Sequence, residues 1–306
     1  MKKILKITLI CILLLTGCSK QTNSDNKLSI ISTSFPGYDF ARAITKDIDN
    51  IQVKMLLKPG SESHTYEPTP KDIIDIKNSD IFIYVGGESD EWVSNILENI
   101  DSNKTKIIKL MDITDIVSEE VIDGMEDTEE IQYDEHVWTS PINAITITNK
   151  LKDEIINIDK NNKKLYEENA NNYIDKLYDI DNSIKDIVMN AKRKEIVFGD
   201  RFPFRYFVDT YNLSYYAAFL GCSEQTEASS KTIAFLINKV KEDNIPVIFH
   251  IELSNGKMAE TISAATGAKV LEFHSAHNIS ETDFNNGITY IDIMNNNIEA
   301  LKGALN

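Results

Sequence analysis

Apolar positions along the chain fall into short β-branched runs that alternate with longer segments of helical spacing. Leu28 to Ser34, Ile51 to Leu57, Asp80 to Val85 and Lys106 to Leu110 are such runs, separated by turn signals or helical patterns. Near-continuous apolar stretches of this length suit strands buried in a parallel sheet. Thr69-Pro70-Lys71-Asp72 starts a helix, with Thr69 as N-cap and Pro70 at the first helical position, where a missing N–H costs nothing. The alternation returns after residue 193. Glu195 to Gly199, Leu213 to Phe219, Pro246 to Ile251 and Lys269 to Phe273 read as strands, and 203–211, 230–243, 256–266 and 283–303 as helices. Between the halves, Pro141 to Lys192 holds no glycine and has proline only at its first position. Its apolar residues, among them Tyr166, Tyr173, Leu177, Ile180, Ile184 and Val188, recur at helical spacing. One or two long helices are predicted there, interrupted near Asp159 to Asn162.

Eight βα units could close into a single barrel, but a long helical insert between the fourth and fifth argues for two lobes. The predicted fold is therefore α/β. Each lobe carries a central, mainly parallel four-stranded sheet, and a long rigid helix joins the two. The N-terminal lobe is expected over 28–140, the connecting helical segment over 141–192 and the C-terminal lobe over 193–306. Ahead of them, Lys2, Lys3 and Lys6 precede a short apolar stretch, Ile7 to Leu15, which ends in Leu15-Thr16-Gly17-Cys18. That stretch is too short to span a bilayer as a mature helix and resembles the signal of bacterial lipoproteins. Residues 1–17 are expected to be removed, Cys18 to carry the lipid, and 18–27 to act as a flexible tether at the outer face of the cell membrane.

Charge and cysteine usage narrow the partners. The formal charge of −16 falls by three when the signal lysines leave, which argues against nucleic acid and anionic surfaces. Only three cysteines occur; with Cys11 in the signal and Cys18 lipidated, Cys222 stands alone, so neither a disulfide framework nor a cysteine metal cluster forms within one mature chain. Cys222 is expected to be a small buried apolar residue. The acid-rich stretch 115–135 reads as a solvated excursion.

The chemistry rests with five histidines, His64, His136, His250, His274 and His277. Neutral imidazole is the commonest metal ligand, and a carboxylate readily completes such a shell. His64 lies in Lys58-Pro59-Gly60-Ser61-Glu62-Ser63-His64-Thr65-Tyr66-Glu67-Pro68, just after a strand, and His136 in Asp134-Glu135-His136-Val137-Trp138-Thr139-Ser140-Pro141, just before the long helix. In open α/β sheets ligands gather where such loops leave the carboxyl ends of strands. His274 ends the last strand of the second half, and Asp200 ends the first strand of that half. His250, inside the apolar Val247-Ile248-Phe249-His250-Ile251, is expected to be a satisfied sheet histidine. The aromatic group Phe202, Phe204, Tyr206, Phe207, Tyr211, Tyr215, Tyr216 and Phe219 is expected to be core.

The motifs around His64 and His136 resemble those of the zinc/manganese solute-binding lipoproteins of ABC transporters, the cluster A-I metal receptors, and the likeness extends over the mature chain. The resemblance implies two α/β lobes bridged by a long helix and one ion held in the cleft, with two ligands from each lobe. By position the first two ligands are His64 and His136. The third falls on Asp200 in Gly199-Asp200-Arg201-Phe202-Pro203-Phe204-Arg205-Tyr206-Phe207, and the fourth on His274 in Glu272-Phe273-His274-Ser275-Ala276-His277. His277 is a possible additional or replacement ligand, and Glu227 and Glu252 are further carboxylate candidates.

Three imidazoles with one carboxylate suit Zn²⁺ and tolerate Mn²⁺; the general affinity order favours zinc. A closed four-ligand shell leaves no position for a reactive water. The expected role is that of a monomeric receptor, not an enzyme, delivering Zn²⁺ (or Mn²⁺) to an ABC-transporter permease. The alternatives are a zinc metallohydrolase, which would need an open metal position and a nearby base, and a receptor for an iron chelate or cobamide, which would need a wider cleft and no direct histidine shell.

Overall fold

The computed structural model describes residues 27–125, 132–223 and 228–306. In the first half, β1 (Leu28–Ser32), α1 (Phe35–Ile44), β2 (Ile51–Met55), α2 (Pro70–Lys77), β3 (Ile81–Tyr84), α3 (Ser94–Leu97) and β4 (Lys106–Lys109) follow in order. Between the halves run α4 (Pro141–Ile158) and α5 (Lys163–Met189). The second half holds β5 (Glu195–Phe202), α6 (Arg205–Tyr211), β6 (Ser214–Leu220), α7 (Ser230–Glu242), β7 (Val247–His250), α8 (Lys257–Thr266), β8 (Lys269–Glu272), α9 (Glu281–Asn285) and α10 (Tyr290–Leu305). Each half builds one four-stranded sheet, in the orders β2-β1-β3-β4 and β6-β5-β7-β8, and every pairing is parallel.

Local chemistry accounts for the element ends. Thr69 and Asp72 form a reciprocal capping box at the start of α2, with Pro70 in its first turn. The last predicted helix is two helices, because Gly287 adopts φ +75 between α9 and α10. The predicted break at Asp159–Asn162 is a tight reversal, where Asp159 accepts hydrogen bonds from Asn161 N, Asn162 Nδ2 and Tyr166 Oη.

Helix α5, about 40 Å long at 1.5 Å per residue, touches both halves. Its Asn169 donates to the carbonyls of Ile44 and Lys46, and its Tyr173 donates to Asp39 of α1 at 2.8 Å. Further along, Asp181 accepts from Tyr211 of α6 at 3.0 Å. Asp39 also accepts from Tyr290 N of α10 at 3.0 Å, so one buried carboxylate joins the first lobe, the long helix and the second lobe. Among the described residues no helix is long and apolar enough to cross a membrane.

The aromatic group is core for the most part: Phe202 stacks on Tyr215 with ring centroids 3.6 Å apart, and Phe198, Phe204, Phe249 and Phe273 meet edge-on or tilted around them. Tyr216 is half-buried, under the Lys239 ammonium. The acidic stretch departs from expectation in its described residues. Glu119 is buried and accepts from Cys222 N at 3.0 Å, Arg205 pairs with Glu120, and Tyr206 Oη donates to the carbonyl of Asp134. The stretch is a strap from the first lobe onto the second rather than a solvated excursion; residues 126–131 lie outside the described set. Cys222 is a free, buried thiol.

Candidate metal centre

Four side chains converge in the cleft. His64, Glu135, His136 and His277 each offer a ligand atom, and these atoms lie within 4.8 Å of one another. His64 comes from the loop after β2, Glu135 and His136 from the end of the connection between β4 and α4, and His277 from the loop after β8. All these loops leave the carboxyl ends of strands, where an open parallel sheet places its ligands. The rings of His136 and His277 are 5.1 Å apart and those of His64 and His277 5.8 Å apart, edge to face. Zinc bonds of about 2.0–2.2 Å imply donors roughly 3.3 Å apart, so small side-chain adjustments would close the cluster on an ion. The cavity lined by His64, His136 and His277 is about 30 Å³.

His136 and Glu135 are oriented from behind. Asp134 Oδ1 takes both the backbone N–H of His136 (2.6 Å) and its ring Nδ1 (2.9 Å), so Nε2 is the nitrogen left for a ligand. Trp138 packs edge-on against both His136 and His277, and its Nε1 donates to the carbonyl of Ser275 in the other lobe. Glu135 Oε2 accepts from Ser89 N at 3.1 Å. Room for this carboxylate depends on Gly87, where a Cβ would sit 2.1 Å from Glu135 Oε2. Two ligand-type atoms of the cluster, Glu135 Oε1 and His64 Nδ1, are buried without a hydrogen-bond partner, as is Asp134 Oδ2 behind His136. Buried polar atoms are nearly always satisfied, so such orphans in one cluster mark a place for a cation.

The electrostatics suit a dication. Burial, reinforced by His136 and only partly opposed by Glu62, pushes the His64 imidazole down to about 4. Burial likewise holds His277 well below its ordinary value, with His136, His64 and Arg201 adding to the effect. Both are neutral at pH 7, with lone pairs free. Burial pushes Glu135 up to about 7. On His136 burial disfavours charge, but Asp134, Glu135 and Glu119 outweigh it and raise the pKa. At the rim, Arg201 pairs with Glu62 of the other lobe at 3.1 Å; burial opposes ionisation of the Glu62 carboxyl, but that pairing overrides it and keeps the group below its usual range.

His64 and His136 are thus brought together as expected, and His277 joins them. Asp200 and His274 are not part of the cluster. Asp200 accepts from Arg201 N of its own strand at 2.8 Å and from Ile251 N, just past β7, at 3.4 Å. His274 faces away: its Nδ1 accepts from Ala276 N at 2.9 Å, and its backbone N–H donates to Asn297 of α10. Ala276, in the left-handed region at φ 61, reverses the chain so that His277 faces the cleft. Where two ligands from each lobe were expected, the clustered side chains are three from the first lobe and one from the second. Glu252 is spent on bracing that loop, accepting from Ser275 N and Ser275 Oγ. His250 lies outside the cluster with Nδ1 against the carbonyl of Ile251. Glu227 and Cys18 lie outside the described residues. Glu135 was missed because it sits in an acid-rich run; its only signal was adjacency to His136.

Two parallel-sheet lobes, a bridging helix and a three-imidazole, one-carboxylate cluster in the cleft define a metal-ion solute-binding protein. The chain belongs to the ZnuA family, described as zinc-uptake complex component A, periplasmic, whose profile it matches over residues 30–304. It is 32% identical to the zinc-binding lipoprotein AdcA of Streptococcus pneumoniae (strain R6) over 308 aligned residues, covering 99% of this chain and 61% of AdcA. It is also 31% identical to the high-affinity zinc uptake system protein ZnuA of Bacillus subtilis (strain 168), covering 96% of this chain and 95% of that protein. The chain spans about three-fifths of the length of its AdcA relatives. The crystal structure of the Zn(II)-bound ZnuA-like domain of S. pneumoniae AdcA superposes with a TM-score of 0.75 at 30% identity, over 91% of this chain and 99% of that one.

Proposed function

We propose that this chain is the extracytoplasmic receptor of a zinc-uptake ABC transporter, capturing one Zn²⁺ between its lobes and passing it to the permease. The convergence of His64, Glu135, His136 and His277 on one cavity carries this reading. Three neutral imidazoles and a carboxylate give a nitrogen-rich shell with net charge +1 around a dication, which favours zinc and tolerates manganese. The relatives are named for zinc binding and zinc uptake, which supports the same cargo. In this reading the protein acts as a monomer, with lobes over 28–140 and 193–306 and the segment 141–192 as connector. It is held at the membrane by a lipid on Cys18, in keeping with the lipoprotein name of AdcA.

The family is one of metal uptake, not catalysis. Four donors would close a tetrahedral shell and leave the ion no coordination position for a hydrolytic water, and a cavity of about 30 Å³ is too small for an iron chelate or cobamide. Calorimetric titration of the purified protein with Zn²⁺ and Mn²⁺ tests the proposal. One-to-one binding, tighter for zinc, is expected; undiminished binding by a His64→Ala/His136→Ala protein would refute the site.

A further inference from the structure

The loops bearing His64 and His277 belong to different lobes, yet protein groups alone fasten them together. Asn278, 3% exposed, reaches across from the second lobe and uses its amide nitrogen twice there. Nδ2 donates to the carbonyl of Lys58 at 2.9 Å and to that of Ser61 at 2.7 Å. Its Oδ1 accepts from Ile279 N at 2.8 Å, which holds the amide in place within its own loop. Alongside, Gly60 N donates to the carbonyl of Ile279 at 2.7 Å. His277 immediately precedes this clamp, and His64 follows Ser61 by three residues.

We infer that Asn278 is a positioning residue for metal capture: it sets the spacing of His64 and His277 ahead of binding. The inference rests on the zinc-site reading above. Where ligands come from separate lobes, ordering them otherwise opposes binding, and a clamp built from the protein's own groups removes that cost from the binding step. No aspartate can replace the asparagine, because a carboxylate would face two carbonyl oxygens with no hydrogen to offer.

The test compares the native full chain with Asn278→Ala, Asn278→Asp and Asn278→Ser proteins. Zinc affinity is measured by chelator competition, and the ligand field by the visible absorption of the Co²⁺ adduct. Zinc affinity is expected to fall about tenfold to a hundredfold, as for other groups that orient metal ligands, with Asp the worst. At saturating Co²⁺ the cobalt bands of the folded variants should shift in position, a change that mere loss of stability would not cause. Should the Asp protein fail to fold, the Ala and Ser proteins give the same answer. Native affinity and native cobalt bands in the folded variants would overturn the inference. Failure of the native protein itself to take up zinc or cobalt would instead overturn the site reading, and the clamp with it.

Discussion

Strand for strand the two lobes are wired alike, β2-β1-β3-β4 against β6-β5-β7-β8, yet the first supplies three of the clustered donors and the second only one. The difference lies in the loops. The connections after β4 and β8 both deliver donors, whereas the loop after β2 delivers His64 and its counterpart after β6 delivers none among the described residues. It also lies in how each lobe uses its carboxylates. In the second lobe Asp200 and Glu252 are occupied by backbone and hydroxyl donors. In the first, Glu135 keeps one oxygen buried without a hydrogen-bond partner. An unsatisfied oxygen within the cluster, as on Glu135, marks a candidate ligand; Asp134 Oδ2 is also without a hydrogen-bond partner, but Asp134 lies outside the cluster and braces His136.

Removing donors is the sharpest way to break this asymmetry. A structural zinc site is worth about 10–16 kcal/mol, so each of four donors carries about 3 kcal/mol, on the order of a hundredfold in affinity. The first-lobe double substitution His64→Ala/His136→Ala should therefore weaken zinc binding by about 10⁴-fold or more, read by calorimetric titration. His277→Ala should lose about a hundredfold, while Asp200→Ala and His274→Ala, measured by the same competition assay, should stay within roughly threefold because neither touches the ion. The reverse ranking would restore the two-and-two division. Smaller still is the effect of cargo on stability. Zinc at about 100 times its Kd should add about 2.7 kcal/mol, seen as a rise in Tm that EDTA reverses and that the double variant does not show.

Most of the scaffold was readable from hydrophobic period, because parallel strands buried on both faces leave unbroken apolar runs and the helices between them keep their spacing. The reversal at Asp159 and the capping box at Thr69 were equally visible, since each is local chemistry. First-lobe ligands were legible for a related reason: His64 and His136 sit in dense, distinctive loops. What escaped was set by tertiary structure. Nothing local distinguishes His274 from His277 until Ala276 enters the left-handed region and turns the chain between them. Glu135 looked like one acid among many until Gly87 made room for it and Ser89 bound one of its oxygens. Glu119 hid its role in the same way, because it finds Cys222 only across the cleft.

Glu135 also yields the finest test, through protons. Burial raises its folded-state pKa to about 7 from an ordinary 4.5, so the metal-free folded protein binds the proton more tightly than the unfolded chain does. The stability this confers is complete below pH 4.5 and is lost as pH rises through about 7. His64 acts oppositely. Its pKa is depressed from 6.5 to about 4, so the unfolded chain binds that proton more tightly, and stability falls as pH drops from 6.5 through about 4. The two slopes oppose each other where these windows overlap, from pH 4.5 to 6.5, so the acid–base behaviour of Glu135 is better read from binding than from unfolding. A cation that takes Glu135 as a ligand must meet it ionised. Near pH 7 that carboxyl is about half protonated, so zinc should expel about half a proton from it, more at pH 6 and little at pH 8. His136, whose pKa is also raised and which Glu135 helps to raise, releases a proton too, so the difference between native and Glu135→Gln proteins reports the coupled pair. Calorimetry in buffers of unlike ionisation enthalpy should therefore show native zinc binding releasing more protons than the Glu135→Gln protein at pH 6, with the gap closing by pH 8. Equal release at both pH values would mean that Glu135 only lines the cavity, and that the first lobe gives the ion two donors, not three.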